Sequence, residues 1–407
     1  MKTISKRSLL AFISLFLIIF AATAGVGDEA VATFLRQKGI VGNSVAVKII
    51  DLKDGSVVAS HNASASLLPA SIMKSVTTAA LLGETGPDYK YQTRVYVDGP
   101  VELGYMRGNL IIEGVCDPTI NSDKAPYTPD LEDEIVDALV QKRINRIEGS
   151  IIIDQSNFTG ESQPSSWANE DRSRYYGTGT HAFNYNNNAR GESAVKNPSA
   201  NFIATLKKKL KAKGIDLEDK PIHEGKRSQI FVHQSAPMDE IMRSCMMRSD
   251  NMFAESMLRT YGKLKGGDGS TVQAAEMETK HWKDKKMPLE GVVIVDGSGL
   301  SRSNRVTANF MSEMLKSMSH DPMYASFFPL AGQEGTLRKF LAGTPLDSYI
   351  AMKTGSMRGV QCYAGYKLDD NYVPTHVVVI IMNDIPADRE PVRRAAENML
   401  LQIFTNN

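Results

Sequence analysis

Two residues near the start of the chain, Ser71 and Lys74, are of types that could together carry out nucleophilic catalysis. They stand three positions apart in the run Ser71-Ile72-Met73-Lys74. On a helix this spacing puts both side chains on one face. A serine hydroxyl is a weak nucleophile until a base takes its proton, and a lysine is a base only when burial or a nearby cation has lowered its pKa. Alone, this motif is far more typical of a buried helix with one lysine whose charged end reaches solvent.

Two further motifs change this interpretation. Ser249-Asp250-Asn251 falls within a predicted helical region, where the serine could relay a proton and the asparagine amide could hold a carbonyl group. Lys353-Thr354-Gly355 lies between two strand-like runs, where Lys353 could meet a carboxylate and Gly355 would allow close backbone approach. Taken singly, they suit a helix cap and an exposed hairpin edge. In this order, however, the three motifs are typical of penicillin-recognising enzymes.

The elements that must position these motifs come from both ends of the chain. We predict an α/β (α+β) fold in which residues 25–85 and 236–407 form one domain around an inserted β-rich domain, residues 86–235. In the outer parts, strands are predicted at 44–60, 348–353, 360–368 and 376–382, and helices at 70–82, from 237 onward and at 390–404. In the insert, strands are predicted at 110–112 and 151–153, and helices at 131–142 and 202–213.

The first residues predict export. Lys2, Lys6 and Arg7 precede an apolar run, and Ala22-Thr23-Ala24 gives a small-residue cleavage site. We therefore predict a signal peptide over residues 1–24 and no stable membrane span after its removal. The alternative is an uncleaved anchor, for which the apolar run is short against the ~20 residues of a full span.

Composition excludes several classes of function. The 47 basic and 46 acidic residues give a net charge of +1, and no basic stripe indicates nucleic acid as a partner. Three cysteines (Cys116, Cys245 and Cys362) do not make a disulfide framework, and we expect them to be buried apolar residues. The seven histidines are scattered without zinc-ligand spacing, so we expect neither a metal nor another cofactor.

Longer runs around the motifs resemble one family, the class C low-molecular-mass penicillin-binding proteins of the penicillin-binding protein 4 type. They are Arg248–Glu255, Asp296–Arg302 and Ala331–Arg338, and the resemblance covers nearly the whole mature chain. It implies a β-lactamase/transpeptidase-like domain with an antiparallel sheet flanked by helices. It also implies a serine-type D-alanyl-D-alanine carboxypeptidase or DD-endopeptidase that acts on peptidoglycan through an acyl-enzyme on Ser71.

The resemblance also assigns roles to the motif residues. Lys74 would be the base, Ser249 would pass the proton to the leaving amine, and Asn251 would hold a substrate carbonyl. Backbone N–H groups of Ser71 and Ser356 would form an oxyanion hole. The remaining motif residues, Lys353, Thr354 and Gly355, would bind the terminal carboxylate of a stem peptide or of a β-lactam antibiotic.

The inserted region matches the family in part. By the resemblance, Asp171, Tyr176 and Arg302 would grip the side chain of a diaminopimelate residue, an acid suiting its amine and an arginine its carboxylate. A structural salt-bridged turn is the alternative. The short span between Asn188 and the predicted helix at Phe202 indicates that the family's third domain is missing. A diaminopimelate pocket together with export implies the periplasm of the cell envelope.

Two rival functions stay open at this point. A β-lactamase of class A would need a Glu-x-x-Leu-Asn run for deacylation, and the chain contains no Leu-Asn pair. A non-catalytic wall-binding protein would keep the fold without the reactive residues, which are all present here. The balance between carboxypeptidase and endopeptidase activity depends on the shape of the cleft, which the sequence does not give.

Overall fold

The computed structural model of the chain describes residues 25–220, 222 and 225–405. The predicted signal peptide, residues 1–24, lies outside the described residues. In the described part, the α-helices are α1 (Val26–Leu35), α2 (Met73–Thr85), α3 (Leu131–Gln141), α4 (Asn169–Arg172), α5 (Pro198–Ala212), α6 (Met238–Arg248), α7 (Asn251–Leu264), α8 (Thr271–Asp284), α9 (Ala308–Met318), α10 (Pro322–Ser326) and α11 (Glu390–Thr405).

The strands follow the same chain order. They are β1 (Val45–Asp51), β2 (Val57–His61), β3 (Gln92–Val97), β4 (Val101–Glu102), β5 (Tyr105–Met106), β6 (Leu110–Glu113), β7 (Arg146–Ile147), β8 (Ile151–Asp154), β9 (Ala189–Arg190), β10 (Ser193–Ala194), β11 (Asp216–Leu217), β12 (Ser228–Gln234), β13 (Ile350–Met357), β14 (Val360–Leu368) and β15 (Pro374–Asn383). Every strand and helix predicted from the sequence has a counterpart, with ends that differ by a few residues.

A five-stranded sheet joins the two ends of the chain. Its strand order is β13-β14-β15-β1-β2, and all neighbouring strands are antiparallel. Strand β15 is central and buried on both sides, with Val378 and Ile380 in one apolar core and Val379 and Ile381 in the other. This alternation explains why its sequence is an unbroken apolar run, since successive side chains of a strand point to opposite faces. The predicted antiparallel sheet flanked by helices is confirmed.

Helices cover both faces of this sheet. On one face α1 and α11 pack against each other and contribute Phe34, Ala396 and Leu400 to the core. On the other face lie α2, α6, α7, α8 and α9. Helix α2 is enclosed over most of its length, because every residue from Met73 to Leu82 is buried. The residues at its beginning are therefore held by packing from all sides.

A third apolar core lies between these halves in sequence. Strands β12, β3, β6 and β8 form one sheet of this region, and α3 and α5 contribute buried residues such as Leu139, Phe202 and Leu206. A second, small sheet contains β11, β7, β5 and β4. The predicted domain boundaries, and the predicted lack of a further domain after Asn188, remain predictions. Among the described residues, no helix combines the length and apolar character needed to cross a bilayer.

Helix α8 carries a buried acid, Glu278, which points to a measurable pH dependence. Burial raises the pKa of Glu278 to about 8. A carboxyl group whose pKa is higher in the folded than in the unfolded chain binds more protons when folded, so its contribution to stability falls as pH rises between the two values.

We therefore expect wild type to lose stability relative to Glu278→Gln as pH rises from about 4.5 to about 8. The measurement is the urea midpoint of both proteins across this range. Glu276→Gln, an exposed acid of the same helix, serves as the control and should follow wild type. A constant difference between wild type and Glu278→Gln at every pH would contradict the buried neutral carboxyl.

Candidate active site

The structure places Ser71 in a tight turn, Ala70–Ile72, directly before α2. Two backbones crowd this turn. A Cβ atom on Gly299 would lie 1.9 Å from the Ala70 carbonyl oxygen, and one on Gly355 would lie 2.5 Å from that of Pro69. Both glycines are therefore needed for close approach, as the sequence predicted for Gly355. The turn bearing Ser71 is held between β13 and the loop that contains Gly299.

Lys74 lies one turn further along and is fully buried. Its Nζ is 2.9 Å from Ser71 Oγ, 2.6 Å from Asn251 Oδ1 and 2.7 Å from the Ser298 carbonyl oxygen. Asn251 Oδ1 and the Ser298 carbonyl only accept hydrogen bonds. If the Lys74 amine is neutral, these two acceptors would bind its two N–H groups. The lone pair of the amine would then face the Ser71 hydroxyl. The predicted pairing of Ser71 with Lys74 is present in the geometry.

The second motif does not lie within a helix, which corrects the sequence-based expectation. Helix α6 ends at Arg248, Ser249 adopts a left-handed conformation with φ of 58°, and α7 begins at Asn251. Asp250 caps α7, accepting a hydrogen bond from the Phe253 amide at 3.1 Å. The alternative of a helix cap is thus correct for Asp250, while the break turns Ser249 and Asn251 into the cleft.

The third motif brings a second buried amine to the same place. Lys353, on edge strand β13, is fully buried, and its Nζ donates to Ser249 Oγ at 2.9 Å and to the Thr354 carbonyl at 2.8 Å. Thr354 Oγ1 lies 2.7 Å from Thr336 Oγ1. The Lys-Thr-Gly run is therefore part of the site and is not merely an exposed hairpin edge.

The electrostatics of the two lysines follow from burial. Loss of solvation lowers the pKa of Lys74, and the nearby carboxylates of Asp250 and Asp296 offset this only in part. Burial lowers the pKa of Lys353 well below its usual value, and the positive charge of Lys74 lowers it further. With no substrate charge in the site, burial therefore favours the neutral form of both lysines.

Asp296 holds the loop that supports Lys74. Its carboxylate accepts hydrogen bonds from the amides of Gly299 at 2.8 Å and Ser301 at 2.7 Å, and from Asn304 Nδ2 at 2.7 Å. A fourth bond comes from Trp167 Nε1 at 2.8 Å. Trp167 belongs to the middle part of the chain, so Asp296 links that part to the loop behind Lys74.

The residues predicted to bind a diaminopimelate side chain lie in the wall of the same cleft as the motifs. This cleft has a volume of about 670 Å³, and Ser71, Ser249, Asn251, Asp171, Tyr176, Arg302 and Ser356 are among its lining residues. Tyr176 donates a hydrogen bond to Asp171 at 2.9 Å, and Arg302 donates to the Arg358 carbonyl at 3.1 Å. Asp171 and Arg302 make no ion pair with each other among the described residues, so both charges face the cleft without neutralising one another.

Several contacts of the site were not predicted from the sequence. The Tyr176 carbonyl accepts from Asn251 Nδ2 at 2.7 Å, and Lys124 pairs with Asp250 at 2.7 Å. Arg389, just before α11, contacts Ser356 Oγ and donates to the Met357 carbonyl at 2.9 Å. The partners that these contacts add, Lys124 and Arg389, do not stand in a motif. Only Asp296, at the start of an Asp-Gly-Ser-Gly turn, offered a local signal, because such a turn needs an acceptor for its amides.

The three cysteines are all buried and free. Burial raises the pKa of the Cys245 thiol to about 12, so it stays protonated. Its Sγ lies 3.4 Å from the Asp250 carbonyl oxygen, directly behind the second motif.

Comparison with known proteins agrees with this geometry. The chain matches the D-Ala-D-Ala carboxypeptidase 3 (S13) family over residues 28–191 and 186–404. It is 22% identical over 408 residues to the D-alanyl-D-alanine carboxypeptidase DacB of Haemophilus influenzae, covering 82% of this chain and 84% of the relative.

Solved structures share the fold. Penicillin binding protein 4 of Haemophilus influenzae superposes with a TM-score of 0.79 at 19% identity, covering 92% of this chain and 99% of that one. A predatory peptidoglycan endopeptidase of Bdellovibrio bacteriovorus gives a TM-score of 0.60 at 17% identity, covering 90% and 93%. With the family match spanning most of its length, the chain is a serine-type peptidase that belongs to the D-Ala-D-Ala carboxypeptidase 3 (S13) family.

Proposed function

We propose that this peptidase cleaves the bond after D-alanine in peptidoglycan stem peptides, with Ser71 as nucleophile and Lys74 as its base. The observation that carries the proposal is the environment of Lys74 Nζ, which has two pure acceptors on one side and Ser71 Oγ at 2.9 Å on the other. A neutral Lys74 in this setting would accept the Ser71 proton as Oγ attacks the D-alanyl carbonyl carbon. The products of the first step are an ester on Ser71 and a released amine.

Protonation of the leaving amine is the second requirement. Ser249 Oγ faces the cleft and contacts Lys353 Nζ, so it lies between a proton source and the position of the leaving group. We assign the relay to Ser249. The proton that Lys74 took from Ser71 replaces the one that passes through Ser249 to the amine, so Lys74 is neutral again. Water then takes the place of the amine and attacks the ester carbonyl, and Lys74 takes a proton from this water and gives it to Ser71 Oγ as the ester bond breaks.

Lys353 and Thr354 are assigned to the terminal carboxylate of the substrate. A carboxylate beside Lys353 would raise the pKa of that lysine, because an opposite charge favours the protonated form. The resulting Lys353 cation would in turn favour the neutral form of Lys74. Binding the correct substrate would thus help to prepare the base, and penicillin, which carries an equivalent carboxylate, would exploit the same response.

The oxyanion that forms during attack needs two donors. We assign the backbone N–H groups of Ser71 and Ser356, which both line the cleft, and each such donor is worth about 3–4 kcal/mol in comparable hydrolases. Arg389 contacts the Ser356 side chain and the Met357 carbonyl, which fixes the end of β13 where the second donor stands. Gly355 acts in the same place by permitting the close approach of β13 to the Ser71 turn.

Asp171, Tyr176 and Arg302 are assigned to the diaminopimelate side chain. Asp171 offers a carboxylate for its amine, and Arg302, an exposed side chain at the cleft, offers a guanidinium for its carboxylate. A cross-linked peptide presents the same D-alanyl bond as a pentapeptide, so one site could serve both carboxypeptidase and endopeptidase reactions. We place the enzyme in the periplasm after removal of residues 1–24, with residues 25–85 and 236–407 as the catalytic domain and 86–235 as the insert.

The first prediction concerns the reaction itself. Incubation of purified monomeric pentapeptides and cross-linked dimers should release D-alanine or separate dimers with wild type, while Ser71→Ala should leave both substrates intact because the ester cannot form. Mass spectrometry of the muropeptides distinguishes the outcomes. Dimers falling to monomers identify an endopeptidase, and loss of terminal D-alanine alone identifies a carboxypeptidase. Wild type that changes neither substrate would overturn the catalytic proposal.

A second prediction follows from the lowered pKa of Lys74. Because the base must be neutral, the rate of acylation by a fluorescent penicillin should rise with pH, with a midpoint below the ~10.4 of free lysine. In Lys74→Arg the acylation rate should show no such rise at any accessible pH, since an arginine keeps its proton. A wild-type rate that falls as pH rises from 6 to 9, measured under conditions where the fold is intact, would contradict Lys74 as base.

The third prediction tests the crowding at Gly355. Gly355→Ala would put a Cβ atom 2.5 Å from the Pro69 carbonyl oxygen and push β13 away from Ser71. We expect penicillin acylation to fall by at least about 100-fold, the loss typical for one misplaced oxyanion donor. Gly83→Ala, where nothing lies within 4 Å, is the matched control and should acylate like wild type. Equal acylation rates in the two variants would show that the close approach is not needed.

A further inference from the structure

A polar groove lies beside the catalytic cleft on its insert side. This side groove has a volume of about 590 Å³, and its lining includes Asp123, Lys124, Tyr175, Asn187, Arg190 and Lys208. Its size is in the range of pockets that hold small ligands or short peptides. Nothing in the proposed chemistry at Ser71 uses it.

The side groove is continuous with the catalytic cleft. Tyr175 lines both of them. Between them lies a smaller space of about 210 Å³, which Tyr175 and Lys124 share with the side groove and Ser249 and Asn251 share with the catalytic cleft. A chain that leaves the catalytic cleft past Ser249 would therefore meet this small space and then the side groove.

Two cations that line this groove, Arg190 and Lys208, have no acidic partner in the described part of the chain. On α5, Lys207 pairs with Asp219, and Lys209 pairs with Asp133 at 2.8 Å. Lys208, between them, makes no ion pair or side-chain hydrogen bond within the described ranges. The same is true of the Arg190 side chain, on the hairpin opposite. Unpaired cations that converge on one groove indicate an anionic ligand.

The other charges of the groove do not cancel this pair. Lys124 is neutralised by Asp250 at 2.7 Å. Asp123 contributes the one carboxylate, and it is held by Asn187 Nδ2 at 2.6 Å. Asn186 and Asn187 line the groove in a turn where both have positive φ, a conformation that asparagine tolerates better than most residues.

We propose that the side groove binds the second stem peptide of a cross-linked substrate, with Arg190 and Lys208 receiving its free carboxylates. Stem peptides carry several such carboxylates, and a dimer carries two stem peptides where a pentapeptide has one. The path past Ser249 suits the peptide on the leaving-amine side of the scissile bond. This proposal rests on the proposed function and adds to it a preference for cross-linked dimers.

The experiment compares two substrates, so that failure of the proposal is distinguishable from failure of the proposed function. The kcat/KM ratio for cross-linked dimers over monomeric pentapeptides is measured in wild type and in Arg190→Ala/Lys208→Ala. We expect the ratio to fall about tenfold in the double variant, the size that two solvent-screened ion pairs can supply. The wild-type ratio should also fall with added salt. Lys207→Ala/Lys211→Ala removes the same charge from α5 outside the groove and should keep the wild-type ratio.

A binding measurement removes any dependence on turnover. In the Ser71→Ala background, calorimetric affinity for the dimer should fall about tenfold on adding Arg190→Ala/Lys208→Ala. An unchanged kcat/KM ratio together with an unchanged affinity would overturn the proposed role of the groove. An equal loss of kcat/KM on both substrates would overturn it as well. If the defect disappears with dimers from which the sugars have been removed, the groove binds glycan and the carboxylate assignment is wrong. Wild type inactive on both substrates would instead reject the proposed function.

Discussion

The structure depends on placing two lysine amines in one buried site. Moving an ammonium group out of water is costly, and two of them close together repel each other, so the site favours fewer protons than two exposed lysines would hold. The surrounding structure must then supply acceptors in the right number. For Lys74 these are Asn251 and the Ser298 carbonyl, while Ser249 and the Thr354 carbonyl surround Lys353. The break between α6 and α7 and the close approach of β13 to Ser71 both serve this arrangement.

Much of the fold was predictable because its signals are local. The apolar run at 376–382 was predicted as a strand, and the terminal residues 390–404 were predicted as a helix, which are β15 and α11. The pairing order of the central sheet was a different matter. It joins β1 to β15 across more than 300 residues, and no short pattern in either segment specifies the other. The family resemblance implied an antiparallel sheet flanked by helices, without this strand order.

The contacts of the site likewise divide into those predictable from local spacing and those that depend on distant parts of the chain. Ser71 and Lys74 are separated by one helical turn, so their contact follows from spacing alone. The error at Ser249 has a physical cause: the pattern of apolar residues continues from α6 into α7, and one left-handed residue interrupts the helix without disturbing that period. Contacts such as Lys124 with Asp250 or Trp167 with Asp296 join residues more than 100 positions apart. They depend on how the middle of the chain lies against the rest, which composition and periodicity do not encode.

The buried thiols have a consequence for how the molecule can be observed. Cys245 stands behind the second motif, is protonated and is shielded from solvent, so a thiol-modifying reagent can reach it only when that wall of the site opens. Its labelling rate would then report the free energy of local opening around the catalytic amines, separately from global unfolding. Cys362, which lies opposite Gly355 on β14, and Cys116, in the middle part of the chain, would report opening at two further places. The labelling rates of the native cysteines would thus report how readily the structure around the catalytic residues opens.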